Sequence, residues 1–300
     1  MKTILDLIEE GLPELEAASN VRCAERMQQI YKKHPELKEI DDEKLSVTGN
    51  RYIAVIDKDE RLVARLDLET EKLTKKREAY IKQNKIDPEF DQPKPQCFLC
   101  KDTGFVEQMG VKVVCACKHR ELAMCYELSG LSGYDAYDPL HYKPDYISGK
   151  DKLKRREKAM EELLSIACSK YKGNTPLFVY TDSSGIGKTY ISICACKTAV
   201  NFGRSIHYAK FEELPEYMED TLESIKHADF VVIDDFDPYI TTLLNRGTIL
   251  NAILEVRNAA NLPTVLVTQS TLTEVVSKSD MRLSGKLRLA QTIPERRKDL

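Results

Sequence analysis

The sequence predicts a three-layer α/β fold built around a phosphate loop, with a helical arm in front of it. Three stretches carry this expectation. Leu177-Phe-Val-Tyr-Thr-Asp-Ser-Ser-Gly-Ile-Gly-Lys-Thr-Tyr190 reads as an apolar strand, a Gly/Ser loop and the start of a helix. Phe230-Val-Val-Ile-Asp-Asp235 is a continuous apolar run closing on two acids, which suits a central parallel strand buried on both faces. Leu262-Pro-Thr-Val-Leu-Val-Thr268 is another apolar strand, followed by polar Gln269 and Ser270. Strand–helix units with a phosphate loop at a strand tip place the ligand at the carboxyl ends of the strands.

Three hundred residues allow about two domains. Hydrophobic residues make up 42% of the chain, enough for a sizeable core, and charged residues 31%. A net charge of −3 excludes a uniformly basic nucleic-acid coat, so any such surface is local. The chain has no run of 18 apolar residues, and its start, Met1-Lys2-Thr3-Ile4-Leu5-Asp6, lacks the apolar core of a signal peptide. No membrane contact and a cytoplasmic location are expected. Nine cysteines, an odd number, fit reduced or metal-bound thiols better than disulfides.

Residues 1–96 read as a helical partner-docking arm. Leu66, Leu73 and Tyr80 fall seven apart, with Leu62 and Ile81 beside them and the basic stretch Lys72-Leu-Thr-Lys-Lys-Arg77 between. Thr48-Gly-Asn-Arg51 reads as a turn between two helices. Pro88 and Asp91-Gln-Pro-Lys-Pro95 end the helix in a stiff linker. A helix packed on its own chain would give the same pattern as a docking arm.

Residues 97–125 read as a metal knuckle. Cys97, Cys100, Cys115 and Cys117 offer four thiolates for a tetrahedral Zn²⁺ site, with His119 or Cys125 able to replace one of them. Val106 opens one strand of a hairpin, Met109-Gly110 makes its turn, and Val111 to Val114 is the other strand. So short a segment has no core of its own, so the metal would supply folding energy and the role would be structural.

Residues 126–173 form a connector and entry helix. Gly130, Gly133, Pro139 and Pro144 mark an irregular link carrying Tyr134, Tyr137, Tyr142 and Tyr146. These tyrosines could stack bases or cover a domain seam, and the seam is the favoured expectation. Lys150-Asp-Lys-Leu-Lys-Arg-Arg-Glu-Lys158 leads into an amphipathic helix with Met160, Leu163, Leu164, Ala167 and Cys168 on one side. Its basic residues are either a DNA-phosphate surface or a solvated face.

Residues 174–300 are the core. Ser184-Gly185-Ile186-Gly187-Lys188-Thr189 fits the pattern G-x-x-x-x-G-K-[ST] at every fixed position except the first, where Asp182 stands. Gly185 and Gly187 let backbone N–H groups turn inward onto phosphate oxygens, and the next helix adds its positive end. Lys188 would reach the β- and γ-phosphates of ATP, and the Thr189 hydroxyl would hold Mg²⁺. Asp182 sets a carboxylate near polyphosphate and removes a permissive backbone position. Asp234 falls where it can hold Mg²⁺ through water, and Asp235 where a base could polarise an attacking water. Gln269, or failing it Thr268, would lie beside the γ-phosphate. A helix is expected over Asn245 to Ala260 and a helical patch, holding Pro215, over Glu212 to Glu219. The end, from Met281 through Lys298, is basic.

These motifs together resemble the DnaC/DnaI-like replicative helicase loaders, including phage and mobile-element versions, and the related IstB-like ATPases. The resemblance rests on C-x-x-C-K-D-T-G-F-V followed by C-x-C at 97–117, on the helical arm ending Arg77-Glu-Ala-Tyr-Ile-Lys-Gln-Asn84, on the strand and loop from Thr175 to Thr189, and on V-V-I-D-D-F at 231–236 with P-T-V-L-V-T at 263–268. It implies an AAA+ ATPase core that binds ATP and single-stranded DNA and delivers a hexameric replicative helicase onto DNA. The arm and knuckle would contact the helicase. Self-association would let a neighbour supply an arginine near the γ-phosphate. Where such loaders tend to have Ser-Arg-Leu, this chain has Gly285-Lys286-Leu287, with Arg282 close by, and a lysine is a point charge and not a planar fork. Arg296 or Arg297 would be the same-subunit sensor. Slow hydrolysis used as a switch follows from Asp182 and Lys286. An IstB-like transposition-helper ATPase and a non-hydrolysing ATP-gated adaptor are the alternatives.

Overall fold

The computed structural model describes residues 2–108, 111–137, 149–168, 172–173 and 175–294. Met109, Gly110, Pro139, Tyr142, Pro144, Tyr146, Arg296, Arg297 and Lys298, all named above, lie outside the described residues. The chain divides into two compact units, one of residues 11–103 and one of residues 1–10 with 104–300.

The unit of 11–103 is helical. It contains most of α1 (Ile4–Lys33), then α2 (Pro35–Ile56) and α3 (Glu60–Gln83). The turn expected at Thr48–Arg51 is not there, because α2 runs straight through it. Val47 and Ala54 of α2 are buried against Leu66 and Leu73 of α3, so the helical register that packs them overrides the turn preference of Gly49-Asn50. The break comes instead at Lys58, whose φ is +57°, and Asp59 caps α3 by accepting from the Leu62 N–H. Leu66 and Leu73 are buried as the sevenfold spacing predicts; the third position, Tyr80, is half-buried and its neighbour Ile81 is buried instead, whereas Leu62 is exposed. This face of α3 is packed on its own unit.

The proline-rich stretch after α3 is anchored within the same unit. Phe90 is buried with Leu37 and Ile81, Arg26 donates to the carbonyls of Phe90 and Gln92, and Ser19 donates to that of Lys94. Arg77, the last residue of the basic stretch, is not on a solvated face as such a stretch suggests: it is mostly buried and paired with Asp41 at 2.6 Å and with Asp91.

The other unit begins, after residues 1–10, with the antiparallel hairpin β1 (Phe105–Gln108) and β2 (Val111–Val114). Then come α4 (His119–Leu128), α5 (Lys150–Cys168), β3 (Leu177–Thr181), α6 (Lys188–Asn201) and β4 (Ile206–Lys210). A 3₁₀ turn over Phe211–Glu216 holds Pro215, and α7 (Glu219–His227) follows, so the helical patch expected over 212–219 is two elements. The chain continues with β5 (Phe230–Asp234), α8 (Arg246–Ala259), β6 (Thr264–Thr268), α9 (Leu272–Lys278), α10 (Met281–Leu287) and β7 (Gln291–Ile293).

Strands β3 to β7 form one parallel sheet in the order β4-β5-β6-β3-β7. Every residue of β3, β5 and β6 is buried. The period of two along each strand divides them between two cores. Phe178, Tyr180, Phe230, Val232, Val265 and Val267 face α5 and α6, where Ile4 and Ile8 also pack. Leu177, Val179, Val231, Ile233 and Leu266 face α8 to α10. This is the three-layer arrangement expected from the sequence. The chain leaves β3, crosses to β4, returns through β5 and β6 to β3's side, and ends on its other side, so the strand order reverses around β3. In open parallel sheets such a reversal leaves a crevice at the carboxyl ends of the strands.

Candidate nucleotide site and cysteine cluster

A cleft of about 610 Å³ opens where the expected site residues converge. From the phosphate loop it is lined by Ser184, Gly185, Gly187, Lys188 and Thr189, from the tip of β5 by Asp234 and Asp235, and from the tip of β6 by Thr268 and Gln269. Ile186 does not line it; its side chain is buried, anchoring the loop to the fold. Gly185 and Gly187 have φ of +77° and +82°, the left-handed conformation for which glycine is needed. Gly187 caps α6, so the first N–H groups of that helix face the cleft.

Lys188 is largely buried, and its ammonium donates to the carbonyls of Asp182 at 2.8 Å and Ser183 at 3.3 Å. Burial pulls its pKa below the usual lysine value, while the charges of Asp182, Asp234 and Asp235 partly hold it up. Asp234 is fully buried. Its Oδ2 accepts from the Tyr208 hydroxyl at 2.7 Å, and its Oδ1 accepts from the Asp235 N–H at 2.8 Å. Asp235 has a φ of +52°, turning it out of the strand into the cleft. Burial, and then the neighbouring Asp234 charge, raise its pKa, which makes it a better proton acceptor than an ordinary aspartate. The sequence reading missed Asp237 and Tyr239, which also line the cleft, just beyond the acids.

Asp182 differs from its expected role. Its backbone is not left-handed, so no glycine is required there. Its carboxylate is turned onto Arg155 of α5, with Arg155 Nε at 3.1 Å and Nη2 at 3.3 Å, and it also accepts from the Ser183 N–H. Burial raises its pKa, but the bonds from Arg155 and Ser183 outweigh this and leave it lowered. Arg282 and Lys286 do not line the cleft. Arg282 is exposed near the start of α10, and the Lys286 ammonium is held by Asn251 and Glu255 of α8. Arg296 lies outside the described residues. Tyr134 and Tyr137 stack edge to face on each other, Tyr134 on Tyr208, and Tyr137 tilts against Tyr190, so these two are packing residues of the core within the unit of 104–300 and not of a domain seam.

The Sγ atoms of Cys97, Cys100, Cys115 and Cys117 all lie within 4.8 Å of one another. Four thiolates at about 2.3 Å from a tetrahedral Zn²⁺ stand about 3.8 Å apart, so the cluster fits that ion. Asp102 shapes the first pair by accepting from the Cys97 and Gln96 N–H groups. Cys125 is not in the cluster. It is buried in the hydrophobic core that also holds Ile8, where burial pushes its thiol up to about 11. His119 is not in the cluster either.

No family model matches the chain. Among curated proteins it is similar to the replicative helicase loader DnaC of Escherichia coli (strain K12), with 22% identity over 134 residues, 41% of this chain and 54% of the relative. DnaC of Shigella flexneri matches to the same extent. The chain thus spans about half the length of the curated relatives it matches. Among solved structures, the DnaC helicase loader covers 53% of this chain and 98% of its own at 13% identity and a TM-score of 0.41. The corresponding values for DnaI are 51%, 87%, 18% and 0.37. For AMPPCP-bound DnaA from Aquifex aeolicus they are 53%, 51%, 16% and 0.41. In sequence, the chain is similar to the DnaC-type replicative helicase loaders, the resemblance that its motifs carry.

Proposed function

We propose that this chain binds ATP with Mg²⁺ in the cleft at the tips of β3, β5 and β6 and uses the bound state to load a replicative hexameric helicase onto single-stranded DNA. The observation that carries the reading is the convergence of Lys188, Thr189, Asp234, Asp235 and Gln269 on one cleft in a chain similar to DnaC. Loop N–H groups and the start of α6 would bind the phosphate oxygens, and Lys188 would exchange its two carbonyl partners for the β- and γ-phosphates. Thr189 and Asp234 would hold Mg²⁺, which neutralises phosphate charge when bound. Asp235 would take the proton of an attacking water that Gln269 orients. Arg282, exposed on its own chain, is the group available to a neighbouring subunit's γ-phosphate.

An ATP-gated adaptor that hydrolyses little is the second reading. It is favoured by Lys286, which sits where loaders tend to have arginine and is already held by Asn251 and Glu255. The deciding experiment measures ATP binding, ATP turnover and helicase transfer to single-stranded DNA, for the wild type, Lys188→Ala and Asp235→Asn. Mg²⁺-dependent turnover lost in Asp235→Asn, with transfer lost in Lys188→Ala, is the expected result. Tight binding and transfer without turnover would select the adaptor. Transfer indifferent to Lys188→Ala would overturn the ATP-dependent reading.

A further inference from the structure

Two consecutive arginines of α5 lie against the two ends of the phosphate loop. Arg155 forms a two-point contact with the Asp182 carboxylate at the loop's first residue. Arg156 is almost fully buried, and a Cβ placed on Gly187, at the loop's far end, would meet its guanidinium carbon and both terminal nitrogens at 3.1 Å. Its guanidinium also lies over the Tyr190 ring, 5.8 Å from the centroid. The stretch of α5 that reads as basic surface thus turns at least these two charges onto the loop.

Asp182 itself is bound twice. Its backbone carbonyl accepts from Lys188, while its side chain is taken by Arg155 and by the Ser183 N–H and hydroxyl. A carboxylate at this point opposes phosphate binding unless it is neutralised, because like charges brought together without compensation repel strongly outside bulk water. A guanidinium bonded at two points both cancels the charge and fixes the carboxylate's direction.

We propose that Arg155 is a positioning residue for nucleotide binding, which neutralises Asp182 and turns it off the phosphate path so that a loop without its first glycine still accepts polyphosphate. The proposal rests on the ATP-binding reading. It explains why an acidic first residue is compatible with the rest of the motif: Asp182 and Arg155 form one unit, and Asp182 without Arg155 is worse than both or neither.

The test is a double-mutant cycle on the full chain, read by binding of a fluorescent ATP analogue with Mg²⁺. Arg155→Ala is expected to weaken binding about tenfold, an effect that shrinks as salt is raised. Asp182→Gly is expected to bind at least as well as the wild type. Asp182→Gly with Arg155→Ala is expected to return to within about threefold of the wild type, since the charge that needed cancelling is gone. Arg155→Lys should fall between, keeping the charge and losing the fork. Thermal melting of each variant separates loss of binding from loss of fold. Arg155→Ala that binds like the wild type would overturn the proposal. So would a double variant as weak as Arg155→Ala, which would mean that Arg155 acts through α5 alone. Binding by Asp182→Gly but not by the wild type would also overturn it, while absence of binding in both would locate the failure in the ATP-binding reading itself.

Discussion

Tyr208 donates its hydroxyl proton to Oδ2 of Asp234 at 2.7 Å, across the neighbouring strands β4 and β5, and both side chains are buried. The tyrosine is itself held by the edge-to-face contact with Tyr134. Its pKa is raised by burial and by the Asp234 charge, so it stays a donor at all physiological pH values. With Oδ1 taken by the Asp235 N–H, the Asp234 carboxylate has one fixed orientation. Tyr208→Phe keeps the ring and removes only the donor. It should lower stability by about 1–3 kcal/mol, the scale for leaving a buried acceptor unsatisfied. It should also raise the Mg²⁺ concentration needed for half-maximal nucleotide binding, while binding measured without Mg²⁺ stays unchanged. An unaltered Mg²⁺ titration would mean that Asp234 needs no such support.

The four-cysteine cluster should hold one zinc per chain. A hairpin of two four-residue strands has little apolar surface to bury, so metal binding is expected to contribute much of its order. Metal analysis of protein purified without chelator should give about one zinc, and Cys100→Ser or Cys115→Ser should release it, since three thiolates leave a position open to water. Cys125→Ser should leave the zinc content unchanged, because Cys125 belongs to the hydrophobic core. Zinc retained in Cys100→Ser would exclude the cluster as the site.

How much of this was legible in the sequence differs by the reach of the contact. The loop, the two acids and Gln269 were readable because each motif carries its chemistry in a few adjacent residues, and the cleft brings them together. The cysteines were readable as two close pairs. Arg155 was not, since it meets Asp182 across 27 positions, and Tyr208 meets Asp234 across 26, with nothing local to mark either partner. The hydrogen bond of Tyr208 depends on strand register, which pairs β4 with β5 in space and leaves no trace in composition. The turn at Thr48–Arg51 failed for the opposite reason. Its local signal was real, but burial of Val47 and Ala54 on α3 outweighed it.

His207 should make the protein labile to mild acid. It is buried on β4 with its Nδ1 unpartnered among the described residues, edge-on to Tyr217. Burial, and then the Arg257 charge, lower its pKa from 6.5 to about 4. A base whose folded-state pKa is depressed contributes stability that is complete above the unfolded value and is lost as pH falls through the folded one. The window therefore runs from pH 6.5 down to about 4, and the full loss is on the order of 3 kcal/mol. Urea unfolding at a series of pH values should show this slope, and His207→Leu should flatten it. Parallel curves for the two proteins would assign the acid lability to other groups.

Arg257 is the buried cation that ties the opposite end of the sheet, and its removal should cost stability without touching the cleft. It is fully buried at the end of α8, and its guanidinium donates to the carbonyls of Ile225, Ala228 and Pro263 at 2.8, 2.7 and 2.6 Å and to the Thr264 hydroxyl at 2.7 Å. These acceptors lie at the end of α7 and at the amino-terminal ends of β5 and β6, whereas the cleft lies at the carboxyl ends. Burial lowers its pKa to about 9, so holding the charge there is costly, yet the four acceptors would be left dry without it. Arg257→Met matches its length and supplies no donor. A loss of about 3 kcal/mol or more is expected, from several buried carbonyls at 1–3 kcal/mol each. Arg257→Lys should lose less, because one ammonium can satisfy some of the acceptors but not in a planar fork. Denaturant unfolding gives the stability change, and nucleotide binding under native conditions should be the same in all three proteins. If Arg257→Met binds nucleotide less tightly while it is still fully folded, the two ends of the sheet are coupled, and Arg257 acts on the cleft through β5 and β6.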